Sequence, residues 1–229
     1  MSASAAIITK IASGIFAFIP GPPERLASNS TIIIGDKFGI IIDCQMTPER
    51  GVELWDAYKK LTTLPLKHVI LTHWHGDHWI GHDKLPYESM LIHKSAFSQI
   101  VSEGEKWVAA FSEKFPPGTM DSVTIPKNVI QIDRDTTIDL GGLKINLIPA
   151  GPAHSAGDII IKHAESSTVI SGDLFFVGRP PYAGDPAKNK DRWQKWMQTI
   201  SEIKNVAIVP GHGKPIDGNT AKKLIQVIN

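Results

Sequence analysis

The six residues His73-Trp74-His75-Gly76-Asp77-His78 hold three imidazoles and a carboxylate. Imidazole nitrogen and carboxylate oxygen are the donors that Zn²⁺ and comparable divalent ions accept, and no thiolate lies in the motif to build a closed structural site. In extended backbone, side chains two residues apart point the same way, so His73 and His75 can serve one ion. A turn at Gly76 then redirects Asp77 and His78 toward a second. Three further donors sit in glycine-containing stretches: His154 in Ala150-Gly-Pro-Ala-His-Ser-Ala-Gly-Asp158, Asp173 in Ser171-Gly-Asp-Leu174 and His212 in Pro210-Gly-His-Gly213. Each is expected in a loop just beyond a strand, where functional sites are built. A centre of this kind keeps a position open for water, and its chemistry would be hydrolysis by activated water.

The elements that must carry these residues follow from periodicity. Short β-branched runs at 7–11, 15–19, 31–34 and 38–42, separated by Gly, Pro and Asn, predict a meandering sheet. Thr47 as N-cap and Pro48 in the first turn open a helix to about Leu61, and a strand at 67–71 leads into the histidine-rich motif. A helix over 95–115 ends at Pro116-Pro117-Gly118; strands follow at 129–132, 136–140, 143–148, 158–162 and 168–171, then a helix at 190–203, a strand at 206–209 and a terminal helix from about Thr220. Two blocks of strands, each followed by helices, predict α/β architecture: two sheets face to face with helices outside, four layers in one domain over 1–229.

Bulk properties narrow the partners. The 229 residues are enough for one domain with a core and an enclosed pocket. Basic and acidic side chains number 24 and 23, so nothing in the overall charge suits a nucleic acid or an acidic membrane face. A small-molecule substrate is expected. The single cysteine, Cys44, excludes an internal disulfide. With no leader-like N-terminus and no apolar run of membrane-crossing length, the expected location is the cytoplasm.

The order of these motifs, from about residue 30 to 215, resembles that of metallo-β-lactamase superfamily hydrolases. The resemblance implies an αββα sandwich with two metal ions at one edge between the sheets. His73, His75 and His154 would hold one, Asp77, His78 and His212 the other, and Asp173 both. It implies Asp43 as a supporting aspartate outside the ligand set, and Asp77 as a group that orients the nucleophile and helps move a proton. Asp77 and Asp173 are thus the catalytic candidates. Two dications, zinc first with iron or manganese as other occupants, would share a water and lower its pKa from about 15.7 toward about 7. Set against Asp77, Asp173 and the resulting hydroxide, they leave the centre about one unit positive, which favours an oxyanion at a carbonyl or phosphoryl group.

Departures from individual branches narrow the substrate. The main zinc β-lactamase subclass has cysteine where Asp173 stands, and acyl-homoserine lactonases have tyrosine where Phe176 stands. Glyoxalase II enzymes append a glutathione-binding helical domain, whereas only 213–229 follow His212 here. Nucleic-acid-processing members carry a large insertion that this length does not accommodate. The stretch Gly172-Asp-Leu-Phe-Phe-Val-Gly-Arg-Pro-Pro181 resembles a branch associated with quinoprotein amine dehydrogenases and sulfur oxidation, a likeness that does not set the substrate. Esters, lactones and phosphotriesters are the expected substrates. A mononuclear iron oxidoreductase of the persulfide dioxygenase type, using His73, His154 and Asp173, is the alternative.

Other residues carry plainer readings. His68, His82, His93 and His163 match no motif and read as hydrogen-bonded structural histidines, Trp74 and Trp79 as packing, and Cys44 as a buried thiol. Phe176, Arg179 and Tyr182, on the Pro- and Gly-rich stretch after Asp173, are candidate substrate-pocket residues. Residues 95–120 read equally as a lid over the pocket or as an outer helix.

Overall fold

In the computed structural model, which describes residues 6–21 and 27–225, strands and helices build four layers. The first sheet contains β1 (Ile7–Ala12), β2 (Ile15–Ile19), β3 (Ser30–Ile34), β4 (Gly39–Ile42), β5 (Leu66–Ile70), β6 (Ser89–His93) and β7 (Val129–Ile132), side by side in chain order. Strands β1 to β4 are antiparallel neighbours and β4 to β7 parallel ones. Parallel neighbours need crossovers. These are α1 (Pro48–Leu61), the single turn α2 (Gly76–Trp79) running into a 3-10 turn at Ile80–Lys84, and α3 (Lys94–Ser112). The second sheet is built from β8 (Thr136–Asp139), β9 (Lys144–Gly151), β10 (Asp158–His163), β11 (Thr168–Phe176), β12 (Ala207–His212) and β13 (Ile216–Asp217), with α4 (Lys190–Ser201) joining the parallel pair β11 and β12, and α5 (Gly218–Ile225) closing the description.

Alternation along the strands divides the core. Ile40, Ile42, Ile70 and Leu91 face Leu147, Ile159, Ile161 and Val209 of the other sheet, while the intervening Ile41, Val69, Met90 and Ile92 pack with Leu54 of α1 and Ile100 of α3. Strands β4 to β6 are covered on both faces, which is why they are continuous apolar runs. The outer face of the second sheet packs on α4 and α5 through Ile160, Val169, Trp193, Met197 and Ala221. Each fully buried Ile or Leu stabilises by about 1.5–3 kcal/mol relative to exposure, so the sandwich is a stiff frame for its edge.

Several strands depart from the sequence expectation, among them the two-residue β13, which the sequence does not mark. Strand β6, between the histidine-rich motif and α3, is not marked by the sequence because its apolar run is only Met90–Ile92, buried on both faces and without alternation. Strand β11 does not stop at 171 but continues to Phe176, through register shifts on either side of Gly172, which adopts φ +52°. Glycine there marks a bulge, not a strand end. Asp173 therefore stands inside a strand and His212 is the last residue of another, not in loops beyond them.

Helix α1 begins as its sequence dictates: Thr47 Oγ1 accepts the Arg50 N–H at 3.2 Å and Pro48 occupies the first turn. It packs backbone to backbone on the 3-10 turn through Gly51 and Gly81, and a Cβ on Gly81 would meet the carbonyl oxygens of Cys44 and Thr47. Among the described residues, no helix is long and apolar enough to cross a membrane. Gly81→Ala is expected to lower stability by about 1–3 kcal/mol because backbone must move to admit the methyl; urea unfolding measures this, and an unchanged midpoint would contradict it.

Candidate metal centre

The first constraint on the centre lies at the end of β4. Asp43 adopts φ +59°, turning its carboxylate back over the neighbouring chain ends. Its Oδ1 accepts the Thr72 N–H at 2.8 Å, and its Oδ2 accepts the Thr72 hydroxyl and the His78 Nδ1–H, each at 2.8 Å. Because Thr72 gives its proton to Asp43, its oxygen is left to accept from His73 Nδ1 at 3.0 Å. His75 donates from Nε2 to Asp185 Oδ2 at 3.0 Å, and His212 from Nδ1 to the Ala27 carbonyl at 3.0 Å. In all four rings the outer nitrogen holds a proton, so the inner nitrogen is the one that a cation, or a second proton, can occupy.

Those inner nitrogens converge. His73 Nε2 and His154 Nε2 each lie 3.1 Å from His75 Nδ1. Asp173 divides its oxygens: Oδ2 is 3.8 Å from His73 Nε2 and 3.5 Å from His154 Nε2, while Oδ1 is 3.3 Å from His78 Nε2 and 3.4 Å from His212 Nε2. Asp77 Oδ2 stands 3.3 Å from His212 Nε2 and 3.7 Å from His78 Nε2. Two donor groups result, His73/His75/His154/Asp173 and Asp77/His78/His212, with the ligand atoms of each within 4.8 Å of one another. The structure thus brings all seven sequence candidates together, and places Asp43 behind them.

The donor set fits divalent cations on the evidence of its own unsatisfied atoms. His78 Nε2 and Asp173 Oδ1 are buried without a hydrogen-bond partner among the described residues, which costs roughly 1–3 kcal/mol per group unless something positive stands between them. The metal-free electrostatics are divided. Burial lowers His73 and His154, the latter to about 3, and neighbouring histidines add to the effect. Burial also acts against a charge on His78 and His212, but Asp173 and the other carboxylates outweigh it, holding His78 well above its ordinary range and His212 at about 9. Asp77 and Asp173 are lowered despite burial by those same two histidines. Protons therefore stand in for a cation at the second group, while the first is neutral imidazole facing one carboxylate.

Residues that spacing did not reveal hold the donors in place. Asp185, 2% exposed, accepts from Trp74 Nε1 at 2.8 Å as well as from His75 on Oδ2, and from the Ala187 N–H at 2.8 Å on Oδ1. It ties the loop after β11 to the histidine-rich motif. Asn29 Nδ2 donates to the carbonyls of Pro210 and Gly213 on either side of His212, at 2.9 and 2.7 Å. Asp158 accepts from Ala153 N, Ser155 N and Ser155 Oγ, closing the turn that carries His154. These partners are distant in sequence or belong to an ordinary turn, and no local spacing marks them.

The centre opens into a cavity of about 250 Å³ lined by Met46, Trp107, Phe111, Lys114, Phe176, Arg179 and Tyr182 together with His75, Asp77, Asp173 and His212. Phe176, Arg179 and Tyr182 are therefore at the pocket, as candidates from sequence. Phe176 stacks on His212 with centroids 5.0 Å apart, and Trp107 of α3 stacks on His75 at 5.5 Å. The region 95–120 is thus a wall of the pocket as well as an outer helix. The other four histidines have structural partners: Ser89 for His68, Tyr87 and Thr124 for His82, the α3 N-terminus for His93 and Ser166 for His163. Cys44 is fully buried, and burial raises its thiol well above the usual range.

A family model described as the metallo-beta-lactamase superfamily matches residues 23–212, and the chain belongs to that superfamily. A Caenorhabditis elegans protein named "Beta-lactamase-like protein 2 homolog" is 24% identical over 205 residues, covering 86% of this chain and 60% of that one. "Probable metallo-hydrolase YqjP" of Bacillus subtilis is 23% identical over 176 residues, 66% of this chain and 55% of its own. The chain thus spans only part of the length of these relatives. Among solved structures, a metallo-beta-lactamase from Hirschia baltica superposes with a TM-score of 0.73 at 16% identity over 98% of both chains, a likeness of fold.

Asp185→Asn places an amide NH₂ against either the Ala187 N–H or the Trp74 and His75 donors. The expected result is cation affinity at the His73/His75/His154 group lowered about 10–100-fold with the fold retained, measured by competition with a chromogenic chelator; equal affinity would contradict the positioning role.

Proposed function

We propose that the chain is a hydrolase dependent on two divalent cations and acts on an ester, lactone, phosphotriester or related small-molecule bond. The observation that carries this is the division of Asp173, with one oxygen toward His73 and His154 and the other toward His78 and His212. A carboxylate so placed between two complete donor groups suits a pair of ions. His73, His75 and His154 would hold one, Asp77, His78 and His212 the other. Bound there, such cations supply Lewis acidity and a lowered pKa for water. Zinc suits imidazole and carboxylate donors, and iron and manganese accept them too.

The chain's own residues do the rest. Among the described residues no Ser or Cys lines the cavity, which supports water as the attacking group. Asp77 is the most accessible of the donors, its side chain 16% exposed at the cavity, which suits it to accept the water proton and return it to the leaving group. Asp43 and Asp185 hold His78 and His75 in one tautomer. Trp107, Phe176 and Tyr182 supply apolar walls for the body of a substrate. The printed name of the Bacillus subtilis relative, a metallo-hydrolase, agrees with this reading.

The mononuclear iron alternative would occupy His73, His154 and Asp173 and leave Asp77, His78 and His212 as a second buried donor group with no task. The geometry favours the pair. Asp173→Ala is expected to lower retained metal from about two ions per chain to below one and kcat by at least about 100-fold. Plasma mass spectrometry after dialysis and a panel of 4-nitrophenyl ester, lactone and phosphotriester substrates measure this; two retained ions with full activity would contradict it.

A further inference from the structure

A second cleft, of about 560 Å³, shares no described lining residue with the cavity at the metal centre and has walls from both halves of the sandwich. From one half come His93, the last residue of β6, and Asp133, just beyond β7. From the other come the end of β9 and one face of α4, on which Lys195 and Trp196 stand about one turn beyond Arg192. Arg192 and Trp196 are seated on successive residues of β9. The Arg192 guanidinium lies so close over Gly151 that a Cβ there would meet Nη1, and Trp196 Nε1 donates to the Ala150 carbonyl at 3.0 Å. His93 is seated in the same way, since a Cβ on Gly157 would meet its Nδ1. Gly157 precedes Asp158, the register partner of Gly151, so the two glycine seats are neighbours across the β9–β10 ladder.

These side chains carry donors that the fold leaves unused. His93 Nδ1 accepts the Ser95 N–H at 3.1 Å, so the ring proton stands on Nε2, at the opposite edge, and no described residue accepts it, although His93 is only 8% exposed. Burial, and after it Lys94, holds His93 below its ordinary range and keeps the ring neutral with that one N–H. Arg192 and Lys195 are exposed, and neither side chain has a hydrogen-bond or ion-pair partner among the described residues. Asp133, also on the wall, is engaged by Lys94 at 3.4 Å.

We infer that this cleft is a binding site for a small organic oxyanion: a carboxylate, sulfonate or phosphate on an aromatic or alkyl body, its charged group held by Arg192, Lys195 and the His93 N–H and its body against Trp196. Arginine matches two oxyanion oxygens with parallel N–H donors, and an ammonium adds a point charge. Trp196 has its N–H committed to Ala150, so what it offers a ligand is the ring. None of the seven metal donors is among the described lining residues, so the occupant is an accessory ligand and not the substrate. It sits against the turn that carries His154, whose two ends are Gly151 and Gly157, the glycines that seat Arg192 and His93.

The test is nitrogen–proton correlation NMR of the zinc-loaded protein, titrated with benzenesulfonate, whose weakly basic oxygens are poor metal ligands, and with methyl phenyl sulfone, its neutral near-isostere. The Trp196 indole signal is expected to shift saturably with benzenesulfonate, which should bind at least about tenfold more tightly than the sulfone. Arg192→Met and Lys195→Met should each weaken the sulfonate severalfold, Arg192→Lys should restore part of the loss, and raising salt should weaken it in the parent chain. Both positions are exposed on a helix and methionine is a good helix former, so these variants keep the fold. A saturable shift at the Trp107 indole with none at Trp196 would place the anion at the metal centre and overturn the inference. Equal affinity for the two probes, undiminished sulfonate binding in both methionine variants, or no saturation below about 10 mM would overturn it as well. None of these readings depends on whether an ester, lactone or phosphotriester is hydrolysed, so the hydrolase proposal stands or falls separately.

Discussion

Seven donor side chains share a buried volume that is electrostatically tolerable only with positive charge at its middle. Three imidazole nitrogens within 3.1 Å steps of one another, and a carboxylate with an unpartnered oxygen, repel or go unsatisfied in a low-dielectric interior. Asp43, Thr72, Asp185 and the Ala27 carbonyl each hold the outer proton of a ring, so relief on the inner side needs a further positive charge, a cation or a second proton. The centre is therefore built to be completed, and much of the surrounding polar structure serves to keep it so.

The fold meets that constraint by delivering chain ends to one edge of a stiff sandwich. Asp43 follows β4, His73 lies beyond the end of β5, Asp173 lies in the bulged part of β11 and His212 ends β12. Close approach there needs glycine: a Cβ on Gly172 would strike Thr72, and one on Gly211 would strike the Asp173 carboxylate. Cross-links between the sheets, Ile159 N–H to the Thr72 carbonyl at 2.8 Å and Asn29 N–H to the Gly211 carbonyl at 2.7 Å, hold the two halves of the donor set in register. The loop after β11 does double duty, bracing His75 through Asp185 and supplying Arg179 and Tyr182 to the pocket.

The ligand set was visible in sequence because its residues are rare types at fixed short spacing, and glycines mark each of the outlying donors. The layers were visible because helices such as α1 carry their own start signals in Thr47 and Pro48. What escaped had no local mark. Strand β6 is an apolar run indistinguishable by period from buried helix, and Gly172 reads as a stop where tertiary pairing with β12 carries the strand on. Asp185 lies 110 residues from His75, and nothing between them in sequence announces the contact. The part α3 plays in the pocket depends on how Trp107, Phe111 and Lys114 meet the histidine-rich motif, which only the packed structure decides.

The central claim is that two cations share Asp173. Anomalous X-ray diffraction from crystals of the metal-loaded protein, collected on either side of the metal absorption edge, tests it most directly. The account predicts two peaks about 3.5–4 Å apart, one among His73, His75 and His154 and the other among Asp77, His78 and His212, with an Asp173 oxygen directed at each. A single peak, with His78 and His212 turned away from it at saturating metal, would contradict the account.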